Sequence, residues 1–203
     1  AIATGTNQIW IAAGTYYPDE GASVTGDDRN ASFTVTGGQD GLAIYGGFAG
    51  TESAWAERDP AAHPTIFSGD INQDGMPGGN SHNVFIFDGG SATGPNVPAN
   101  VTRATILDGV TITRGHADES LITPISAKGA GLYCDGSGSG NACSPQIIGV
   151  IFTGNTASSD TGGAGGAMYN NGLGGGTSRP LIVNATFTGN TARFDGGAIF
   201  NAG

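Results

Sequence analysis

Residues 70–75 carry the sharpest chemical motif in the chain. They read Asp-Ile-Asn-Gln-Asp-Gly, which fits the first half of a calcium-binding loop. Oxygen side chains at alternate positions can turn toward one centre, and the glycine permits a sharp bend. The twelfth position, where such loops carry a bidentate glutamate, is Ser81, so another residue must complete the shell. The motif predicts calcium at Asp70, Asn72 and Asp74, with an ordinary Asx-rich turn as the alternative.

A second set of side chains has the composition of a polysaccharide-cleaving site. A lyase needs carboxylate-bound calcium and a base beside a uronate, a role open to Arg114 or His116. A hydrolase needs two carboxylates about 5 to 9.5 Å apart. The alternative places Arg114 and His116 at a corner facing water, where the next repeat has Gly154-Asn155-Thr156. We favour that alternative, because paired acids are common in any acidic chain. The candidate carboxylates are Asp27, Asp28, Asp88, Asp108, Asp118 and Glu119.

Other chemistries lack their motifs. His63, His82 and His116 are scattered, whereas zinc needs three or four clustered ligands. The sequence contains no P-loop, no dinucleotide fingerprint between a strand and a helix, and no G-x-S-x-G nucleophile elbow. We therefore expect a protein that is not an enzyme.

Cys134 and Cys143, the only cysteines, flank a short glycine-rich segment. A disulfide across it would fit an oxidising compartment and would stabilise by only about 2–3 kcal/mol, because the loop is small. A reduced pair would look identical in sequence. We predict the disulfide and an extracellular or cell-surface location.

Composition narrows the class of protein. The chain has 203 residues, a formal net charge of −10 and 38 glycines without a G-X-Y period. Such charge will not attract nucleic acid or anionic membranes, although it suits solubility or calcium capture. No apolar stretch approaches the roughly 20 residues of a membrane helix. Glycine-rich turns between short β-branched and aromatic runs are typical of an all-β protein.

Two signatures alternate along the C-terminal half. One contains a Phe-Thr-Gly-Asn corner and the other a Gly-Gly-Ala strand, and each recurs after 31 to 36 residues. Apolar residues are spaced by two, which indicates strands rather than a helix. The residues that mark these repeats are Phe152, Asn155, Phe187, Asn190, Gly166 and Gly197.

This pattern predicts a right-handed parallel β-helix, or solenoid, of about six or seven rungs with long N-terminal loops. Asn155 and Asn190 fall at equivalent positions, so we expect them to stack between rungs. In the N-terminal half, Ile66, Ile86 and Ile106 lie 20 residues apart, a plausible rung length.

We expect one segment over 1–203, with irregular rungs in 1–99 and regular repeats in 100–203. The sequence closes in mid-repeat, which favours either a longer natural chain or a second molecule covering that end. A homo-oligomer formed through the ends would be head to tail and would grow into fibres.

The repeats resemble those of polymorphic outer membrane proteins. Residues 196–199 read Gly-Gly-Ala-Ile, and residues 152–155 and 187–190 read Phe-Thr-Gly-Asn. That family alternates Gly-Gly-Ala-aliphatic with Phe-x-x-Asn. The chain is also similar to a wider bacterial class of cell-surface right-handed β-helix repeat proteins, through the runs 10–16, 44–52 and 106–112. The resemblance is good over 100–203 and only stylistic over 1–99.

The resemblance implies an extracellular passenger region used for adhesion or surface display, and it transfers no catalytic residues. We therefore expect a structural or adhesive protein whose loops hold a glycan or a cell-surface receptor, with calcium as the only cofactor considered. A carbohydrate-binding or polysaccharide-cleaving β-helix is the alternative.

Overall fold

The computed structural model describes residues 2–3, 7–90, 100–119 and 125–203, and these are almost entirely strands, turns and loops. Helical structure among them is restricted to three 3-10 turns, at Gly37–Gln39, Trp55–Glu57 and Pro77–Gly79. Within the described ranges, no helix is long and apolar enough to cross a membrane. The all-β prediction is therefore confirmed.

Three large sheets account for most strands. Sheet A contains Ile2–Ala3, Gln8–Ala12, Ala43–Phe48, Ile106–Asp108, Gln146–Ile148 and Leu181–Val183. Sheet B contains Gly14–Tyr16, Thr65–Ser68, Val110–Thr113, Ile151–Thr153 and Thr186–Thr188. Sheet C contains Phe33–Thr36, Phe85–Asp88, Leu132–Asp135, Met168–Asn171 and Ile199–Ala202.

Two small sheets lie at the corners. Sheet D pairs Ala142–Cys143 with Thr177–Ser178, between sheets C and A along the chain. Sheet E lies between sheets B and C and contains His116–Ala117, Thr156–Ala157 and Thr191–Ala192. Both small sheets are parallel.

The chain passes through sheets A, B and C in the same order each time, and we call one such passage a circuit. The described strands make five circuits rather than the six or seven expected. All pairs between circuits are parallel; the short strand Ile2–Ala3, which lies antiparallel to its neighbour, is the exception. Repeated parallel pairing of this kind is consistent with a β-solenoid.

The 20-residue spacing of three isoleucines does not measure a circuit. Ile66 lies in sheet B, Ile86 in sheet C and Ile106 in sheet A, so they mark three successive sides of the molecule. Ile147 pairs with Ile182, which makes that circuit 35 residues long. A rung length of 20 residues is therefore too short, and six or seven rungs is an overestimate.

The core lies between the sheets, because alternate side chains of each strand point inward. Phe152 is completely buried and stacks on Phe187 of the next circuit, with ring centroids 5.0 Å apart and an interplanar angle of 1°. Its neighbours in the core include Phe85, Phe87, Leu107, Ile112, Leu132, Ile147 and Met168. The recurring Phe of the sequence signature is thus a core position.

Corners between sheets A and B need a left-handed backbone. Gly109, Gly149 and Asn184 occupy equivalent positions with φ of 70°, 58° and 53°. Glycine adopts this conformation without strain, and asparagine tolerates it better than most residues. Gly166 has a different constraint: a Cβ there would overlap the carbonyl oxygens of Thr191 and Gly197.

Cys134 and Cys143 form a disulfide. Both are completely buried, and the bond joins sheet C to sheet D. It closes the connection that leads back to sheet A, so it holds one corner of the third circuit.

Candidate functional site: the corner between sheets B and C

The connections from sheet B to sheet C bring together a cluster of charged side chains. Arg29, from the first of these connections, donates to Oδ1 of Asp118 at 2.6 Å. The guanidinium also donates to the carbonyl oxygens of Asn80, at 2.7 Å, and His116, at 3.2 Å. One arginine therefore ties together the loops of three successive circuits.

Two histidines lie beside the same carboxylates. His82 Nδ1 is 3.3 Å from Asp118 Oδ1, and its Nε2 is 3.6 Å from Glu119 Oε1. His116 Nδ1 is 3.8 Å from Asp118 Oδ2. The corner thus contains two acids, two imidazoles and the cation Arg29. Sequence spacing could not predict this arrangement, because residues 29, 82 and 116 come from separate circuits.

Burial determines the charge state of His82, which is 2% exposed. Desolvation lowers the pKa of His82, the Arg29 charge lowers it further, and Glu119 and Asp118 oppose the shift. The imidazole is therefore held neutral more strongly than an exposed histidine. Glu119 Oε2 lies nearby as a buried atom without a hydrogen-bond partner.

His116 has a tautomer fixed by its surroundings. Its Nδ1 lies 2.7 Å from the carbonyl oxygen of Pro77, and its Nε2 lies 2.9 Å from Ser158 Oγ. A carbonyl oxygen only accepts hydrogen bonds, so the proton of the neutral imidazole is on Nδ1. Nε2 then accepts from the Ser158 hydroxyl. His116 aligns with Thr156 in sheet E, as the corner alternative expects, but its side chain is only 14% exposed and both ring nitrogens contact protein atoms rather than facing water.

The predicted calcium residues lie on the outer part of the same corner. Asp70 Oδ2 is 3.1 Å from Arg114 Nη1, and Asp70 Oδ1 accepts from the Gly75 amide at 3.3 Å. Asn72 donates to Asp74 Oδ2 at 2.9 Å. Among the described residues, no group of three or more His, Cys, Asp or Glu side chains is placed to hold a metal ion. These contacts fit the Asx-turn alternative, and calcium stays a prediction.

Arg114 has an unusual backbone for its type. Its φ is 59°, close to the 64° and 61° of Gly154 and Gly189 at equivalent corners. A non-glycine residue there costs stability, of order 1 kcal/mol. Arg114 thus occupies a glycine position while pairing with Asp70, which fixes the loop that begins at Asp70.

The other candidate carboxylates do not join this cluster. Asp108 forms an ion pair with Arg58 at 2.8 Å on the outer side of sheet A. Asp28 accepts from the backbone of Asn30. Asp88 is aligned with Asp135 on sheet C and accepts from the Gly90 amide at 2.9 Å. The Asp27 backbone amide donates to Asp19 Oδ2 at 2.9 Å.

Aromatic side chains form a separate surface on sheet A. Trp55 is 44% exposed, and its ring lies 4.7 Å from the Arg58 guanidinium and 5.7 Å from the Tyr45 ring. Trp10 is aligned with Tyr45 and stacks on Phe48 at 4.8 Å. A rigid exposed tryptophan is a suitable contact for a ligand with an apolar face.

Comparison with known proteins gives no assignment, since no family model, curated protein or solved structure matches the chain.

Proposed function

We propose that this chain is a segment of an extracellular right-handed parallel β-helix with a structural and adhesive function, similar to the polymorphic outer membrane proteins in its repeats. One observation carries the proposal: residues of the same type stack in register between circuits. Phe152 stacks on Phe187, Tyr133 on Tyr169, and Asn155 bonds to Asn190. Such stacking gives a stiff body whose stability grows with each added circuit.

Adhesion would be the task of the loops that this body displays. The connections between sheets B and C are long and held by ion pairs, and Trp55 is exposed in the connection from sheet A to sheet B. Fixed loops with polar and aromatic groups suit a glycan or a cell-surface receptor, because little ordering entropy is lost on binding. In this proposal adhesion needs no catalysis, and association through the ends would give head-to-tail fibres.

Negative-stain electron microscopy with and without a calcium chelator tests the structural proposal. Fibres are expected where the ends associate, and discrete particles of single-chain size under all conditions would contradict end-to-end association. If chelator dissolves the fibres, calcium belongs to the joint. Calorimetry at millimolar calcium tests binding by Asp70, Asn72 and Asp74 directly, with Asp74→Asn as the variant. If the parent gives no heat of binding, the calcium site is excluded, and the structural proposal is unaffected.

A second candidate is a carbohydrate-binding or polysaccharide-cleaving β-helix. The observation that favours it is the corner containing Arg29, His82, His116, Asp118 and Glu119, where acids and imidazoles lie within 4 Å. Incubation with polyuronates, followed by ultraviolet absorbance of an unsaturated product, tests cleavage. If the parent releases this product and Asp118→Asn does not, the polysaccharide-cleaving function replaces the structural and adhesive one.

A further inference from the structure

The Ser158 hydroxyl has the local arrangement of an activated nucleophile. Its Oγ lies 2.9 Å from His116 Nε2, the nitrogen left without a proton by the Pro77 carbonyl bond. A hydroxyl beside an unprotonated imidazole nitrogen can lose its proton as it attacks an electrophile. The pair joins two circuits, since His116 aligns with Thr156, two residues before Ser158.

A third group completes the set around His116. Asp118 Oδ2 is 3.8 Å from His116 Nδ1, so a carboxylate is close to the imidazolium that forms when the serine proton moves. Arg29 fixes Asp118 through its other oxygen at 2.6 Å. In a serine–histidine–aspartate triad the aspartate both orients the imidazole and stabilises its positive charge. Here the Pro77 carbonyl orients the ring, and Asp118 supplies the negative charge.

We propose that Ser158, His116 and Asp118 form a catalytic site for hydrolysis of carboxylic esters, an activity beyond the structural and adhesive function. Ser158 Oγ bonds to the ester carbonyl carbon while His116 Nε2 takes its proton. The ester C–O bond then breaks, and the departing alcohol receives that proton. Water adds to the acyl-serine while His116 takes its proton, the Oγ–carbon bond breaks as His116 returns that proton to Oγ, and a carboxylic acid and free Ser158 remain.

The surroundings of Ser158 indicate the kind of ester. Thr191 and Thr156, on the same small sheet, share a hydrogen bond between their hydroxyls at 3.1 Å. Arg193, which follows Ala192 of that sheet, forms an exposed ion pair with Asp160 at 2.6 Å. Hydroxyl groups suit a hydroxyl-rich substrate better than an apolar chain, because they both donate and accept hydrogen bonds. The substrate class is therefore a short acyl ester on a carbohydrate.

Covalent labelling tests the nucleophile directly. The intact chain is treated with a fluorophosphonate reagent, and the modified residue is located by mass spectrometry. We expect the label on Ser158 and its loss in Ser158→Ala, with labelling at least 100-fold slower in His116→Gln. Ser139→Ala, at an exposed serine outside the corner, is the matched control and should label as the parent does. Circular dichroism checks that each variant folds.

Turnover is measured with 4-nitrophenyl acetate and with an O-acetylated polysaccharide. Acetate release should fall at least 100-fold in Ser158→Ala, and Asp118→Asn should lower kcat while leaving KM unchanged, as expected of a residue that stabilises the imidazolium and does not touch the substrate. Absence of label from the folded parent, or equal hydrolysis by the parent and Ser158→Ala, would overturn the proposal. Neither result bears on the rod, which electron microscopy tests separately.

Discussion

Asn155 donates from Nδ2 to Oδ1 of Asn190 at 2.9 Å, although the two residues are 35 positions apart in the chain. The Asn155 side chain also accepts from the Gly115 amide and donates to the Ile112 carbonyl, both at 3.0 Å. It therefore links three successive circuits. Asn155 is completely buried, whereas Asn190 lies on the last described circuit and is partly exposed.

Replacing Asn155 by alanine should lower the free energy of unfolding by about 2–3 kcal/mol, because the Gly115 amide and the Ile112 carbonyl lose their partner inside the protein. Urea denaturation measures the change. Asn190→Ala is the matched control and should cost about 1 kcal/mol, since water can replace its contacts. An equal loss of unfolding free energy in the two variants would show that burial does not determine the contribution of these asparagines.

The stacked phenylalanines give a second prediction. Phe152→Ala should destabilise the protein by about 3–5 kcal/mol, because a completely buried ring leaves a cavity between two circuits. Phe194, which is 57% exposed, provides the comparison, and Phe194→Ala should change stability by less than about 0.5 kcal/mol. Thermal and urea unfolding of both variants would test whether the core lies where the sheets place it.

Gly115 should not tolerate a side chain. A Cβ there would overlap the carbonyl oxygen of Ala130 and lie 3.1 Å from Val84 Cγ2. Backbone on one side and a core residue on the other cannot both move, so Gly115→Ala should cost at least about 3 kcal/mol. Gly26→Ala, where a Cβ would meet nothing within 4 Å, should leave the urea midpoint unchanged or slightly raised. A folded Gly115→Ala protein of parental stability would contradict this packing.

Stability should fall on mild acidification because of His82. Its pKa in the folded protein lies below the ordinary value of 6.5, mainly through burial. The unfolded chain then binds a proton first as the pH drops, which favours unfolding. The contribution is present above about pH 6.5 and is lost as the pH falls toward the folded pKa.

The measurement is the free energy of unfolding at pH 7.5, 6.5 and 5.5 for the parent, His82→Gln and His63→Gln. The fall in stability between pH 6.5 and 5.5 should be smaller in His82→Gln than in the parent and unchanged in His63→Gln. His116, Asp118, Glu119 and Arg29 face His82, so Asp118→Asn serves as a second comparison. A parental slope in His82→Gln would assign the pH dependence to another group.

The sequence predicted the all-β fold, the repeat positions and the cysteine pair because these depend on local chemistry. Apolar residues at every second position of a strand share its inward face, which places Phe152 and Phe187 in the core. Glycine or asparagine at a corner adopts the left-handed backbone that the corner needs, wherever that corner recurs. Two cysteines around a short glycine-rich segment are close enough to bond in almost any strand arrangement. None of these inferences required knowledge of distant neighbours.

The number of circuits and the content of the corner were decided by tertiary structure. Isoleucines 20 residues apart look like repeats, yet Ile66, Ile86 and Ile106 lie on three sheets, since loop length determines where a strand enters. Arg29, His82 and Asp118 meet because parallel pairing stacks connections from successive circuits. The contact between Ser158 and His116 arises in the same way. The sequence determines which side chains are present, but only the register between circuits brings them to a separation of 2.9 Å.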